Sequence, residues 1–334
     1  YGIPTRKVFV IPVIAIGMRL VQSSHLPSLM DPWYMKKPLL LCCLMASLLA
    51  GTALSSEKPV LLAAIKPDTR TGQAGTSATL KGLNPKQLKL ESESALVVDS
   101  QGNEVYAKKV DEPQSIASVT KLMTAMVVLD AALAPDERIT ITRDDRDVIR
   151  HSGSRLQPGA TLTRDQLLRL ALMASENHAA NALGRTYPGG REAFVLAMNR
   201  KARAIGMTSS RFADPAGLDS GNIATARDMV KMVRAALRYP LIRAATTTIT
   251  MSVHPYKGRG ELRFNNTNRL LKNAAWKIQL SKTGYINEAG RCLVMQTSIA
   301  DQPLVIVLLN SFGKLTPFGD SNRIRKWIES GARS

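Results

Sequence analysis

The sequence predicts an α+β fold: a five-stranded antiparallel sheet packed with helices and carrying a helical subdomain. Three observations over residues 93–334 lead to it. Strand-like segments stand at both ends of this region, a mainly helical stretch fills about 163–240 between them, and a last helical segment closes the chain. Strands separated by so long a helical insert share one sheet when the insert folds out as its own layer.

The elements follow in order. Ala95-Leu96-Val97-Val98-Asp99, turn residues Ser100 to Asn103, and Glu104 to Lys108 make a hairpin. Leu122, Met123, Met126, Val127 and Leu129 form an apolar run with no Gly or Pro before Pro135, which predicts a buried helix whose first turn holds Ser118. Leu167, Leu168, Leu170, Ala171, Leu172 and Met173 mark an amphipathic helix, and Ala179 to Leu183 a further one, so Ser175 lies at their junction. Strands return at Trp276 to Lys282, Arg291 to Ile299 and Leu304 to Asn310, before a helix near Pro317 to Glu329. Alternation in the first of these puts Trp276, Ile278 and Leu280 on one face and Lys277, Gln279 and Ser281 on the other. No internal repeat is visible.

Three short motifs fall on these elements: Ser118-Val119-Thr120-Lys121, Ser175-Glu176-Asn177 and Lys282-Thr283-Gly284. The first spacing also occurs at Ser55 to Lys58 and Ser311 to Lys314, but only Ser118 opens a buried helix, where positions i and i+3 share a face. A capping serine beside a solvated lysine is the bland reading of that pair. Ser220-Gly221-Asn222 matches the second motif, yet it sits among Asp214, Pro215, Gly217 and Asp219, whose residue types are those of turns. Lys282-Thr283-Gly284 occurs once, at the end of a strand-like run, and Gly284 lets a ligand backbone approach the strand edge. Together the motifs supply a serine nucleophile, a lysine one turn away, a polar pair and a second cation, the set required by a penicillin-recognising acyl-transfer enzyme.

Longer segments carry a family resemblance. The stretches 116–130, 170–177, Thr225-Ala-Arg-Asp-Met229, Phe264-Asn-Asn-Thr-Asn268 and 278–284 resemble the serine D-alanyl-D-alanine peptidases among the low-molecular-mass penicillin-binding proteins, in particular the endopeptidase branch of type seven. The likeness spans about residues 92–330. It implies the β-lactamase/transpeptidase-like fold, peptidoglycan stem peptides as substrate, β-lactams as covalent inhibitors, and no cofactor or metal. It further implies that Ser118 attacks a D-alanyl carbonyl, Lys121 takes its proton, Ser175 passes a proton to the leaving amine, and Asn177 holds the substrate amide and Lys121. Thr283 would grip a substrate carboxylate beside Gly284, with the N–H groups of Ser118 and Tyr285 as the oxyanion hole. A free lysine titrates near ~10.4, so Lys121 must be desolvated and close to another cation such as Lys282.

Rival readings are a D-alanyl-D-alanine carboxypeptidase, a β-lactamase and a non-catalytic cell-wall module. The serine β-lactamases that resemble this chain use E-x-x-L-N to activate water, and only Glu261-Leu262-Arg263-Phe264-Asn265 comes near it. The endopeptidase branch is expected over the carboxypeptidase relatives, which the resemblance gives an extra C-terminal β domain beyond the point matching Ser334, and intact Ser118, Lys121 and Lys282 argue against a binding module. Histidine- or metal-based chemistry lacks support: His25, His151, His178 and His254 are scattered and no H-E-x-x-H occurs. His178 is expected on a helix surface, and Asp144, Asp145 and Asp147 on a solvated face.

Export is expected from Met35-Lys36-Lys37, the apolar run Leu39 to Ala50, and Gly51 and Ala53 at positions suited to cleavage after Ala53. The domain reading is therefore 1–53 upstream segment and signal peptide, 54–92 flexible leader, and 93–334 catalytic domain, with a periplasmic location. An uncleaved anchor at 38–54 is the alternative, though it is shorter than the ~20 residues that cross a bilayer. Leu41 before Cys42 does not fit a lipoprotein signal. With Cys42 and Cys43 in the signal, Cys292 remains alone, a small side chain in an apolar run. Residues 54–334 hold 40 basic and 25 acidic residues, net +15. In an exported chain this excess meets anionic wall polymers and phospholipid head groups and not nucleic acid, so it either concentrates the protein on the wall or membrane surface or, spread evenly, serves solubility alone.

Overall fold

The computed structural model describes Leu80 and residues 82–332. The signal segment and most of the expected leader lie outside them. One five-stranded antiparallel sheet organises the rest, in the order β2 (Glu104–Lys108), β1 (Ser94–Asp99), β11 (Gln302–Ser311), β10 (Gly290–Ile299) and β9 (Lys277–Ile286). The remaining strands are short pairs: β3 (Gln114–Ser115) with β6 (Ile223–Ala224), β4 (Arg138–Thr140) with β5 (Thr161–Thr163), and β7 (Thr250–Val253) with β8 (Leu262–Asn265).

Both faces of the sheet are covered, which explains why every residue of β1 is buried. Leu96 and Val98 join Val294, Val305 and Val307 in the core shared with the helical subdomain. Ala95 and Val97, pointing the other way, pack with Leu293, Met295, Ile306 and Leu308 against Ile324, Trp327 and Ile328 of the terminal helix. Among the described residues seven helices pack with the sheet: α1 (Lys121–Asp130), α2 (Arg164–Met173), α3 (Asn177–Arg185), α4 (Gly190–Ala204), α5 (Ala226–Ala236), α6 (Pro240–Thr247) and α7 (Thr316–Gly331). Residues Lys121 to Val128 of α1 are buried all round, as for a helix running through a core. A capping box between Thr163 and Gln166 starts α2, and the Glu176 side chain accepts from His178 N–H to start α3.

Five expectations change. Residues 82–92 do not behave as leader: Leu88 and Leu90 are buried, and Asp320 of α7 accepts from the Ser92 N–H (2.7 Å) and hydroxyl (2.6 Å). Strand β9 does not end at Lys282 but runs on to Ile286. A register shift opposite Gln296/Thr297 also breaks its alternation, so Ile278 packs with Trp276 beside α7 whereas Leu280 points into the subdomain core. His178 is buried, its Nδ1 2.8 Å from the Leu156 carbonyl, because α3 is enclosed by its neighbours. Asp145 and Asp147 are buried too. Asp145 binds Arg185 through both oxygens (2.8 and 2.9 Å), and Asp147 accepts four bonds from Ile149, Arg150 and Ser152.

Candidate active site

Ser118 sits in a 3-10 turn (Ala117–Thr120) that leads into α1, so the expected helix begins one turn later than its motif. Ala117 has φ of 47°, a strained conformation for a residue with a side chain, and it aims the next residue outward. Two glycines lock this turn. At Gly217 a Cβ would stand 2.0 Å from the Ala117 carbonyl oxygen, and at Gly284 2.8 Å from that of Ile116. Both positions must lack a side chain for the turn to nest between the 214–222 loop and β9.

Lys121 is wholly buried, and its Nζ lies 2.9 Å from Ser118 Oγ, 2.7 Å from Asn177 Oδ1 and 2.6 Å from the Ala216 carbonyl. Protonated, the amine donates one N–H to each of these three oxygens; once it loses a proton, the N–H bonds to Asn177 and Ala216 can stay in place while the freed lone pair faces the Ser118 hydroxyl. Burial pushes the Lys121 pKa down to about 8, against the pull of the Asp214, Glu176 and Asp147 carboxylates. The expected repulsion between the two lysines acts on Lys282 instead. Burial first, and then the Lys121 charge, hold Lys282 well below 10.5.

Ser175 adopts φ of 59° at the junction between α2 and α3, turning its hydroxyl toward β9, where Lys282 Nζ donates to it at 2.9 Å. Lys282 also donates to the Thr283 carbonyl, and Thr283 Oγ1 donates to Thr267 Oγ1 at 2.7 Å. A cleft of about 390 Å³ opens over this set, lined by Ser118, Ser175, Asn177, Thr283, Gly284 and Tyr285 among others. All eight residues singled out from the sequence therefore belong to one neighbourhood: six line the cleft, and Lys121 and Lys282 are buried beneath with bonds to its lining residues. Cys292 also borders the cleft, opposite Gly284 in the β9–β10 register. It is buried, with its thiol pushed up to about 12 by desolvation, and so is a poor nucleophile.

Sequence reasoning passed over several supports. The 214–222 loop, explained there by turn residues alone, supplies the Ala216 carbonyl to Lys121 and the Pro215 carbonyl to Thr124 (2.6 Å). Asp214 shapes it by accepting from the N–H groups of Ala216, Gly217 and Asp219. Asn177 Nδ2 donates to Ser152 Oγ (2.8 Å), which the Asp147 turn presents. Arg150 ties that turn to the Leu218 carbonyl (2.6 Å) and to Glu288 in the β9–β10 turn (2.8 Å). Thr267 lies in the Phe264–Asn268 stretch quoted for its resemblance, the one prior signal for it. Among the described residues, no group of three or more His, Cys, Asp or Glu is placed to hold a metal ion.

A serine joined to a buried lysine on a helix under one edge of an antiparallel sheet defines a penicillin-recognising acyl-transfer site. Comparison with known proteins narrows the class. Residues 81–313 match the family model Peptidase_S11, described as D-alanyl-D-alanine carboxypeptidase, and the chain belongs to that family of serine D-Ala-D-Ala peptidases. It is 46% identical over 248 residues to a D-alanyl-D-alanine endopeptidase of Pseudomonas aeruginosa, covering 74% of this chain and 80% of that one. To the D-alanyl-D-alanine endopeptidase of Escherichia coli it is 43% identical over 258 residues, covering 76% and 82%. The crystal structure of a Streptomyces DD-transpeptidase superposes with a TM-score of 0.67 at 25% identity, covering 72% of this chain and 98% of that one. The β-lactamase/transpeptidase-like fold expected from the resemblance is the fold observed.

Proposed function

We propose that the chain is a D-alanyl-D-alanine endopeptidase that hydrolyses D-alanyl cross-links of peptidoglycan through an acyl-enzyme on Ser118. The single observation that carries the mechanism is the Lys121 amine, buried and 2.9 Å from the Ser118 hydroxyl with its two other contacts to fixed acceptors. Lys121 takes the hydroxyl proton as Ser118 Oγ bonds to the D-alanyl carbonyl carbon, and the oxyanion meets the backbone N–H groups of Ser118 and Tyr285. Ser175, bonded to Lys282, delivers a proton to the departing amine. Thr283 binds a substrate carboxylate, Gly284 admits the substrate backbone to the β9 edge, and water later releases the acyl group. Penicillins enter the same path and remain as esters.

The endopeptidase preference rests on the names of the Pseudomonas and Escherichia relatives, whereas the family description reads carboxypeptidase. Crosslinked muropeptide dimers and monomer pentapeptides, each incubated with purified protein and analysed by mass, separate the two. Splitting of dimers is expected, and release of terminal alanine alone would transfer the chain to the carboxypeptidases. Export through the 35–53 segment, action in the periplasm and peripheral attachment to wall or membrane belong to the same proposal. They are supported by a substrate that lies outside the cytoplasmic membrane and by the basic surplus of the chain. Cell fractionation that finds the protein in the cytoplasm would remove them.

A further inference from the structure

A second groove, of about 790 Å³, opens away from the catalytic serine between the β4–β5 hairpin and the loop that follows β7. Its lining includes Arg138, His254, Lys257 and Arg259 and contains no carboxylate. No Asp or Glu among the described residues pairs with Arg138, Lys257 or Arg259, although many other basic side chains of the domain have such partners. The loop is built in place. Thr161 N–H donates to the Pro255 carbonyl (2.8 Å), Gln157 N–H to the Tyr256 hydroxyl (2.8 Å), and the Arg259 guanidinium lies 5.3 Å from the centre of the Tyr256 ring.

The groove neighbours the catalytic cleft through a third depression, whose lining also includes Glu176. Ser175 and Asn177 line both the cleft and an adjoining depression bounded by Arg155 and Phe264. Arg155 stacks on Phe264 at 3.9 Å, and its carbonyl lies 3.4 Å from the Tyr256 hydroxyl at the groove. Arg138 donates to the Thr161 carbonyl (3.4 Å), but guanidinium and ammonium groups without a carboxylate partner gathered in a concave site call for an anionic ligand, and guanidinium forks suit carboxylates. A groove of this volume holds a ligand of several residues or sugars.

We propose that this groove is a second binding site for peptidoglycan, receiving the free carboxylates of a stem peptide that is not being cut while the attached cross-link reaches Ser118. The inference rests on the peptidoglycan reading above and adds where the polymer is held. It predicts that loss of the groove charges weakens polymer binding without touching acyl transfer on small substrates.

The test compares Lys257→Gln/Arg259→Gln with Arg200→Gln/Arg203→Gln, which removes equal charge from exposed positions of α4. Both are made in active protein and in Ser118→Ala protein, which binds without cutting. Fluorescent-penicillin acylation reports folding and the catalytic centre and is expected to be unchanged in both. Binding of the inert proteins to insoluble sacculi should weaken about tenfold for the groove pair and less than twofold for the control pair, as expected for two exposed charge contacts. KM for crosslinked dimers should rise with kcat unchanged. Equal losses in the two pairs, no loss in either, or a loss confined to anionic phospholipid vesicles would each overturn the inference. If wild-type protein fails to split dimers but its sacculus binding still depends on Lys257 and Arg259, the endopeptidase reading falls and the groove stands. If dimers are split equally well with and without the groove charges, the groove alone falls.

Discussion

At the scale of single residues, the chemistry depends on what surrounds two lysines. Replacing Ser118 by Ala should abolish covalent labelling by a fluorescent penicillin, and persistence of label would assign the nucleophile elsewhere. Gly217→Ala is expected to slow labelling about 10²-fold, because a methyl group 2.0 Å from the Ala117 oxygen must displace the Ser118 turn, and small misplacements cost that much. Near-wild-type labelling by that variant would show the turn to be less constrained than described. The serine and lysine were legible from spacing on an apolar helix, as were Ser175, Asn177 and the Lys282 motif. Ala216 was not, since a backbone carbonyl leaves no mark on residue type. Asp145 and His178 were misread as exposed because polarity alone says nothing of a partner supplied from a distant part of the chain, as Arg185 and Leu156 are here, and Asp147 because residue type does not reveal that its carboxylate folds inward onto the nearby Ile149, Arg150 and Ser152.

Among the elements, the sheet edge and the terminal helix divide the work. Strand β9 presents the Lys282 motif along an unpaired edge, while α7 closes the opposite face and anchors the segment before β1. Asp320 is fully buried and accepts from Ser92, Glu91 and Arg323. Asp320→Ala should therefore cost about 3 kcal/mol and lower Tm by roughly 10 °C, with the penicillin acylation rate of the folded protein within twofold of wild type. A large loss of acylation at unchanged Tm would place Asp320 in the catalytic machinery instead. The hairpin, the three strands of the C-terminal half and α7 were readable from alternation and apolar periodicity. The break in β9 was not, because a bulge depends on the partner strand, and the packing of 82–92 was hidden because these residues were read together with the Lys-, Thr-, Gly-, Ser- and Ala-containing stretch before them, which has little apolar periodicity.

For the whole molecule, enclosing two lysines trades stability for reactivity. A base whose folded pKa is lowered leaves more protons on the unfolded chain between the two values, so this contribution to stability rises with pH from about 8 to the unfolded value and is lost below. At about 1.36 kcal/mol per pH unit, the Lys121 displacement from 10.5 to about 8 corresponds to about 3 kcal/mol. Wild-type unfolding free energy measured against Lys121→Met should show that relative gain over this window, and a pH-independent difference would contradict the burial argument. The same displaced amine sets the most direct test of the mechanism, the pH dependence of Ser118 acylation by penicillin followed in single turnovers. The rate is predicted to climb about tenfold per pH unit below 8 and to level off above it, as the fraction of uncharged Lys121 does. A profile that is flat from pH 6 to 9, or one that falls as Lys121 loses its proton, would contradict proton removal by this lysine.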